Sequence, residues 1–128
     1  MSEVVADASA LVEALVAPSG KAAARLGAAT IHAPHLVDVE VLHALRSLSA
    51  RGLVEQAVAV GARATLLDVV THRYGHEALL ARMWELRANV RTYDAAYVAL
   101  AEALDVPLLT LDARLAAAPG LRCHVETL

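Results

Sequence analysis

Four carboxylic acids stand where this sequence is otherwise apolar or where a helix is predicted to begin. Asp7 lies inside the apolar stretch VVADASALV, and Asp112 directly follows the apolar stretch VPLLTL. Asp94 opens a predicted helix that is otherwise almost wholly apolar, and Glu40 lies next to Val41 on the apolar side of another. A carboxylate among apolar groups is unfavourable unless a hydrogen bond or a positive charge compensates it. These four acids are therefore expected to have partners.

Each acid alone also has an ordinary structural explanation. An acid in the first turn of a helix, such as Asp94 or Asp112, stabilises the helix dipole by about 0.3–1 kcal/mol, and Glu40 could be a solvated helix residue. Acids gathered at one place, however, repel one another and lose hydration, and a bound cation compensates for both. Because the set contains oxygen ligands and no matching His or Cys, the pattern favours Mg²⁺ or Mn²⁺.

The elements that must position these acids alternate between short apolar strands and helices. We predict strands at 3–6, 30–33, 68–72, 106–111 and 122–128, and helices at 9–17, 21–28, 34–52, 53–67, 76–90, 92–104 and 112–118. This alternation indicates βαβ units and a parallel sheet with helices on both faces. The predicted fold class is α/β, with three α/β/α layers around a central, mostly parallel sheet of short strands, in a single domain at 1–128.

In such a fold, ligands bind outside the carboxyl ends of the strands. Asp7 and Asp112 follow strands and are predicted at that edge of the sheet. Asp94 joins them if the segment before its helix is strand-like. Asp68 and Asp105 precede strands and are predicted in turns at the opposite edge.

Two hydroxyl residues accompany the strand-end acids. Ser9 and Thr110 each lie two residues from an acid, where a hydroxyl could hold a water or a phosphate oxygen. For Ser9, a helix cap is an equally good explanation. The histidines are scattered. His72 and His76 lie four residues apart, but a predicted change from strand to helix between them disfavours a zinc site.

The composition limits the remaining possibilities. The chain is 58 % hydrophobic, yet no apolar stretch reaches the ~18 residues that span a bilayer. One cysteine, Cys123, fits a reducing compartment, so we expect a cytoplasmic protein without membrane contact. The net charge of −3 gives no overall basic field, and 3 % aromatic residues argue against an extended base-stacking platform. Contact with a nucleic acid would depend on local arginines or on a metal.

Four sequence blocks resemble the PIN-domain ribonucleases, specifically the VapC-type toxins of bacterial toxin–antitoxin pairs. They are VVADASALV, PHLVDVEVLHALR, TYDAAYVALAEALDVPLLTLD and ARLAA, which span essentially the whole chain in the family's order. The segment from Tyr93 to Asp112 is the most specific. The resemblance implies a PIN-like fold, four acidic site positions at Asp7, Glu40, Asp94 and Asp112, and supporting hydroxyls at Ser9 and Thr110.

The resemblance also implies an activity and partners. The expected reaction is Mg²⁺- or Mn²⁺-dependent endonucleolytic cleavage of RNA that leaves 5′-phosphate and 3′-hydroxyl ends. Arg87, Arg91 and Arg114 flank the last two acidic motifs and could hold phosphates, although solvated helix-end arginines are an equally good explanation. A VapB-type antitoxin is expected to block the site from an apolar groove formed by helices at 9–28 and 36–67, and a homodimer is also expected.

Other functions remain open. Phosphatases of the haloacid dehalogenase type require Asp-x-Asp after the first strand, where this chain has Ser9 in the second position. Receiver domains require an adjacent acidic pair and a late lysine, neither of which is visible. A PIN-like module that only binds a partner is the third alternative, and the four intact acids speak against it.

Overall fold

Five parallel strands form one sheet in the computed structural model, which describes residues 2–128. The strands are β1 (Ser2–Ala6), β2 (Ala29–Pro34), β3 (His72–Tyr74), β4 (Leu108–Thr110) and β5 (Val125–Thr127), in the order β3-β2-β1-β4-β5. The central strand β1 buries Val4, Val5 and Ala6 consecutively. Such an uninterrupted apolar run is typical of a parallel strand with both faces covered. The parallel sheet predicted from the sequence is confirmed.

Seven α-helices complete the three-layer α/β/α arrangement. They are α1 (Ala8–Val16), α2 (Lys21–Gly27), α3 (Leu36–Ala50), α4 (Gln56–Val69), α5 (Leu80–Glu85), α6 (Thr92–Leu104) and α7 (Ala113–Ala116), with a 3₁₀ turn at Glu77–Leu79. Helix α1 packs against α2, α3 and α4, whereas α5 packs against α6, which contacts β1, β2 and β4. In the described part of the chain, no helix is long and apolar enough to cross a membrane.

The pairing of β1 with β4 sets the carboxyl edge of the sheet. Val5 pairs with Leu108 and Ala6 with Leu109, and the backbone N–H of Asp7 donates to the Leu109 carbonyl over 3.1 Å. This register brings the residues that follow both strands to the same edge.

Two predicted elements are wrong. Residues 68 and 69 belong to the end of α4, and β3 begins only at His72. Ala62 and Leu66 are buried and Val69 packs against the core, and this helical spacing outweighs the strand preference of the β-branched residues here. The helix predicted at 76–90 is a 3₁₀ turn, the short α5 and a series of turns. It ends early because tighter three-residue bonds, such as Asn89 N–H to the Leu86 carbonyl, replace the helical pattern.

Candidate active site

The four acids predicted to converge line one pocket of about 160 Å³, which we call the acid pocket. Asp7 and Asp112 are the N-cap residues of α1 and α7, Glu40 lies in the second turn of α3, and Asp94 lies in the first turn of α6. The other lining residues are Ala8, Ser9, Arg91 and Tyr97. The prediction for Asp94 depended on a strand-like segment before its helix, but turns precede α6. The packing of α6 against the sheet places Asp94 instead.

Asp7 is held at both carboxylate oxygens. Its Oδ1 accepts hydrogen bonds from the Ser9 hydroxyl at 2.6 Å and the Ala10 backbone N–H at 3.0 Å, and its Oδ2 accepts one from the Thr110 hydroxyl at 2.5 Å. Burial, with only 7 % of the residue exposed, raises the pKa of Asp7, although these three bonds act in the opposite direction. The capping role considered for Ser9 thus belongs to Asp7, and Ser9 positions that carboxylate.

Glu40 has a partner that the sequence analysis missed. The phenol of Tyr97, a residue only 1 % exposed, donates to Glu40 Oε1 over 2.6 Å. Burial raises the pKa of Glu40, while the bond from Tyr97 lowers it. Tyr97 lies three residues after Asp94, on the same face of α6. This helical spacing was the sequence signal that could have identified Tyr97 as a residue of the site. A buried phenol also needs a hydrogen-bond partner.

Asp94 and Asp112 form the open side of the acid pocket and pair with exposed arginines. Arg91 Nε lies 3.3 Å from Asp94 Oδ2, and Arg114 Nε lies 3.3 Å from Asp112 Oδ1. Asp112 Oδ1 also accepts the backbone N–H of Arg114 at 2.9 Å. These bonds from Arg114 hold the pKa of Asp112 below its usual value.

The donor set fits a hard divalent cation in its chemistry. It consists of carboxylate and hydroxyl oxygens, and the charge of Asp94 helps to raise the pKa values of both Asp7 and Glu40. Among residues 2–128, however, no group of three or more His, Cys, Asp or Glu side chains forms a closed set of metal ligands. Each carboxylate is turned to its own partner, so binding an ion requires some of them to rotate.

The three arginines predicted as phosphate contacts share one cavity of about 450 Å³, here called the arginine cleft. Arg87, Arg91 and Arg114 line it together with Asp94 and Asp112. The arginine cleft therefore adjoins the acid pocket.

A third cavity, of about 690 Å³, lies between α1 and α3 and is called the apolar groove. It is lined by Ala8, Ser9, Val12, Glu13, Val39, Glu40, His43, Ala44, Tyr93 and Leu111. Only part of the region predicted for an antitoxin groove contributes. Residues of α2 and α4 line a separate cavity of about 590 Å³.

The histidines do not add to the site. His72 stacks on His32 with ring centroids 5.0 Å apart, whereas the His76 ring accepts the backbone N–H of Leu36 at 3.3 Å. His72 and His76 thus have different partners.

Comparison with known proteins agrees with the geometry. The family model of the PIN domain matches residues 4–121. Ribonuclease VapC1 of Mycobacterium tuberculosis is 46 % identical over 130 aligned positions, which cover 98 % of each chain. Ribonuclease VapC9 of the same organism is 41 % identical over 122 positions, or 95 % of each chain. A crystal structure of VapBC2 from Rickettsia felis, bound to a DNA fragment from its promoter, has a similar fold, with a TM-score of 0.71, 14 % identity and 98 % of each chain covered.

Proposed function

Because the chain belongs to the PIN-domain family, among the VapC ribonucleases, we propose that it is a Mg²⁺- or Mn²⁺-dependent endoribonuclease and the toxin of a toxin–antitoxin pair. One observation carries this proposal. Asp7, Glu40, Asp94 and Asp112 come from four separate segments of the chain and line one small pocket. Carboxylates that converge in one pocket repel one another, and a bound cation would compensate for this repulsion.

The four carboxylates are the residues that would hold the divalent cation. When bound, such an ion lowers the pKa of water and neutralises charge on a phosphate. Asp7 and Glu40 are held in place by buried hydroxyls, whereas Asp94 and Asp112 pair with exposed arginines. We propose that Asp7 and Glu40 are the fixed members of this set, and that Asp94 and Asp112 would exchange their arginine partners for the ion.

The chain's other residues then position the RNA. Arg91 and Arg114, released from their acids, bind phosphates of the backbone in the arginine cleft. In the reaction, the oxygen of water joins phosphorus, the bond from phosphorus to O3′ breaks, and O3′ takes up a proton. The products carry 5′-phosphate and 3′-hydroxyl ends. Within residues 2–128, neither His nor Lys lines the acid pocket, so proton transfer falls to carboxylates and water.

The decisive experiment incubates the purified chain with total RNA in Mg²⁺ or in EDTA and maps the ends of the fragments. We expect cleavage in Mg²⁺ only. Asp94→Asn should reduce the rate by at least the roughly 10–100-fold that losing a supporting partner of a metal ligand costs.

Asp105→Asn is the matched control, because it makes the same chemical change at the opposite edge of the sheet. Asp105 is exposed and has a left-handed backbone with φ of 55°, which asparagine also adopts readily. Cleavage that persists in EDTA, or that Asp94→Asn leaves unchanged, would contradict the proposal. A chain that binds a partner but cuts no RNA would instead be an interaction module.

A VapB-type antitoxin is the proposed protein partner, and the apolar groove is its proposed binding site. Val39 and Tyr93 expose 69 % and 68 % of their surfaces there. The groove shares Ser9 and Glu40 with the acid pocket, so a segment bound in it would reach the acids directly.

A further inference from the structure

Trp84, the only tryptophan of the chain, lies on α5 with 68 % of its surface exposed. The guanidinium carbon of Arg87 lies over the indole, 4.6 Å from the ring centroid. Arg87 Nη1 also donates to the Trp84 carbonyl over 2.9 Å. The hydrogen bond and the stacking contact hold the two planar groups together as one flat, exposed unit, which we call the Trp84–Arg87 pair.

This pair stands at the rim of the arginine cleft. Arg87 lines the cleft together with Asp94 and Asp112 of the acid pocket, and it connects the indole of Trp84 to this cleft. The position differs from that expected of a phosphate contact, because the guanidinium of Arg87 faces an aromatic ring. Neither the cation-binding acids nor the proposed phosphate contacts use Trp84.

We propose that the Trp84–Arg87 pair binds one unstacked base of the RNA, next to the site of cleavage. This inference rests on the proposed function. Aromatic rings and arginine planes are the surfaces on which proteins stack bases of single-stranded RNA. The low aromatic content excludes an extended platform, but a single stacked base requires only one ring.

The surroundings favour a nucleotide over a protein segment at this place. The cleft beside the pair also carries Arg91 and Arg114, whose positive charge matches a phosphodiester backbone. The apolar groove, by contrast, is lined by α1 and α3 and contains neither Trp84 nor Arg87. A base within a continuous duplex is already stacked on its neighbours, so the substrate would present this base in a loop, a bulge or a single strand.

Fluorescence tests the inference directly, because all indole emission of this chain comes from Trp84. The full-length chain carrying Asp94→Asn, which should cut at least roughly 10–100-fold more slowly, is titrated with a single-stranded oligoribonucleotide in Mg²⁺. The same backbone without bases and the same sequence as a duplex serve as controls. We expect saturable quenching by the single strand and much weaker quenching by both controls.

Substitutions supply the second measurement. In the same Asp94→Asn background, Trp84→Leu keeps an apolar side chain without a ring, and it should weaken binding of the single strand by about 5- to 150-fold. Trp84→Phe should retain part of the affinity. Unchanged affinity of Trp84→Leu, or equal quenching by the base-free backbone, would overturn the stacking site. Quenching by a protein partner and not by RNA would assign Trp84 to a protein interface and would also overturn it.

Cleavage of RNA by the unaltered chain is measured in parallel, so that the two proposals can fail separately. Cleavage without base-dependent quenching overturns the stacking site alone. Absence of cleavage with base-dependent quenching overturns the proposed reaction and supports a nucleotide-binding site on a protein that does not cut.

Discussion

Thr110 connects the two acids at the edge of the sheet. Its hydroxyl, fully buried, donates to Asp7 Oδ2 and accepts the backbone N–H of Asp112 at 3.0 Å. One side chain therefore keeps the ends of β1 and β4 in a fixed relation. Asp7 needs this support, since its carboxylate is buried and the neighbouring Asp94 repels its charge.

Thr110→Val, which keeps the shape and removes the hydroxyl, should therefore destabilise the chain. It leaves a buried carboxylate oxygen and a backbone N–H unpaired, and we expect a loss of about 1–3 kcal/mol in the free energy of unfolding. Urea denaturation measures this loss. Thr65→Val is the matched control, because Thr65 is exposed and bonds only to the Gly61 carbonyl of its own helix. Equal stability of the two variants would contradict the role given to Thr110.

Tyr97→Phe tests the support of Glu40. The substitution removes the hydroxyl that donates to Glu40 Oε1 at 2.6 Å, and it keeps the buried ring. If Tyr97 positions a cation ligand, the Mg²⁺ concentration for half-maximal cleavage should rise by roughly 10–100-fold. Binding of Mn²⁺ to the free protein, measured by calorimetry, should weaken in parallel.

Tyr93→Phe makes the same change four residues earlier, on an exposed ring, and should alter neither value. A loss of stability in Tyr97→Phe with unchanged cation binding would mean that the tyrosine only fills the core.

At the scale of elements, the sequence predicted the alternation and the parallel sheet because both depend on local patterns. Asp7 and Asp112 were placed correctly because each follows a strand directly, and parallel strands end at a common edge. The position of Asp94 in the acid pocket depends instead on the packing of α6 against the sheet. The Tyr97–Glu40 bond joins residues 57 positions apart. Local patterns do not specify which helices lie side by side, so the sequence alone could not predict that bond.

The errors in the predicted strand at 68–72 and the predicted helix at 76–90 have the same origin, because both segments depend on contacts with distant parts of the chain. Val69 continues the apolar face of α4, and only the packed structure shows that this face is covered. The segment after α5 is shaped by distant contacts, such as the bond of 2.6 Å from Asn89 Nδ2 to the Pro119 carbonyl. Long-range interactions of this kind override local propensity.

Helix α5, which carries Trp84, is bound to α6 by a partly buried ion pair. Arg82 donates to both oxygens of Glu102, at 2.7 and 3.1 Å, and to the Gly120 carbonyl at 2.8 Å. Glu102 also accepts the backbone N–H of Arg122 at 2.8 Å. Burial alone would raise the pKa of Glu102, but the bonds from Arg82 and Arg122 together lower it below 4.5.

The stability that this network provides should therefore depend on pH. Because the pKa of Glu102 is lower in the folded state, the contribution is fully present above the unfolded value near 4.5 and is lost as the pH falls through the folded pKa. At pH 7, Glu102→Gln should reduce the free energy of unfolding by about 1.5–3 kcal/mol. The difference in the free energy of unfolding between Glu102→Gln and the unaltered chain should shrink as the pH falls below about 4.5.

Urea denaturation of both chains, from pH 7 to below pH 4.5, measures this difference. Glu85→Gln, at a more exposed residue 3.8 Å from the same arginine, should have little effect at any pH. A difference for Glu102→Gln that stays constant down to low pH would contradict the proposed ionisation.

At the scale of the whole molecule, the acid pocket lies between two surfaces of different character. It shares Ser9 and Glu40 with the apolar groove, and Asp94 and Asp112 with the arginine cleft. Under the proposed function, a local cluster of arginines would bring RNA to these acids despite the net charge of −3. The proposed antitoxin would approach the same acids from the apolar side.

A substitution in the apolar groove should therefore affect inhibition by the antitoxin more than RNA cleavage. Val39→Asp places a charge in the apolar groove and should weaken inhibition by the proposed antitoxin by about tenfold or more. RNA cleavage without antitoxin should change much less, since the arginine cleft is untouched. Leu67→Asp introduces the same charge at a residue that is 68 % exposed but lies on α4, outside the groove, and is the matched control. Titrating RNA cleavage with antitoxin measures both variants. Equal inhibition of the two would place the antitoxin elsewhere, whereas loss of cleavage in Val39→Asp alone would place RNA, and not the inhibitor, in the groove.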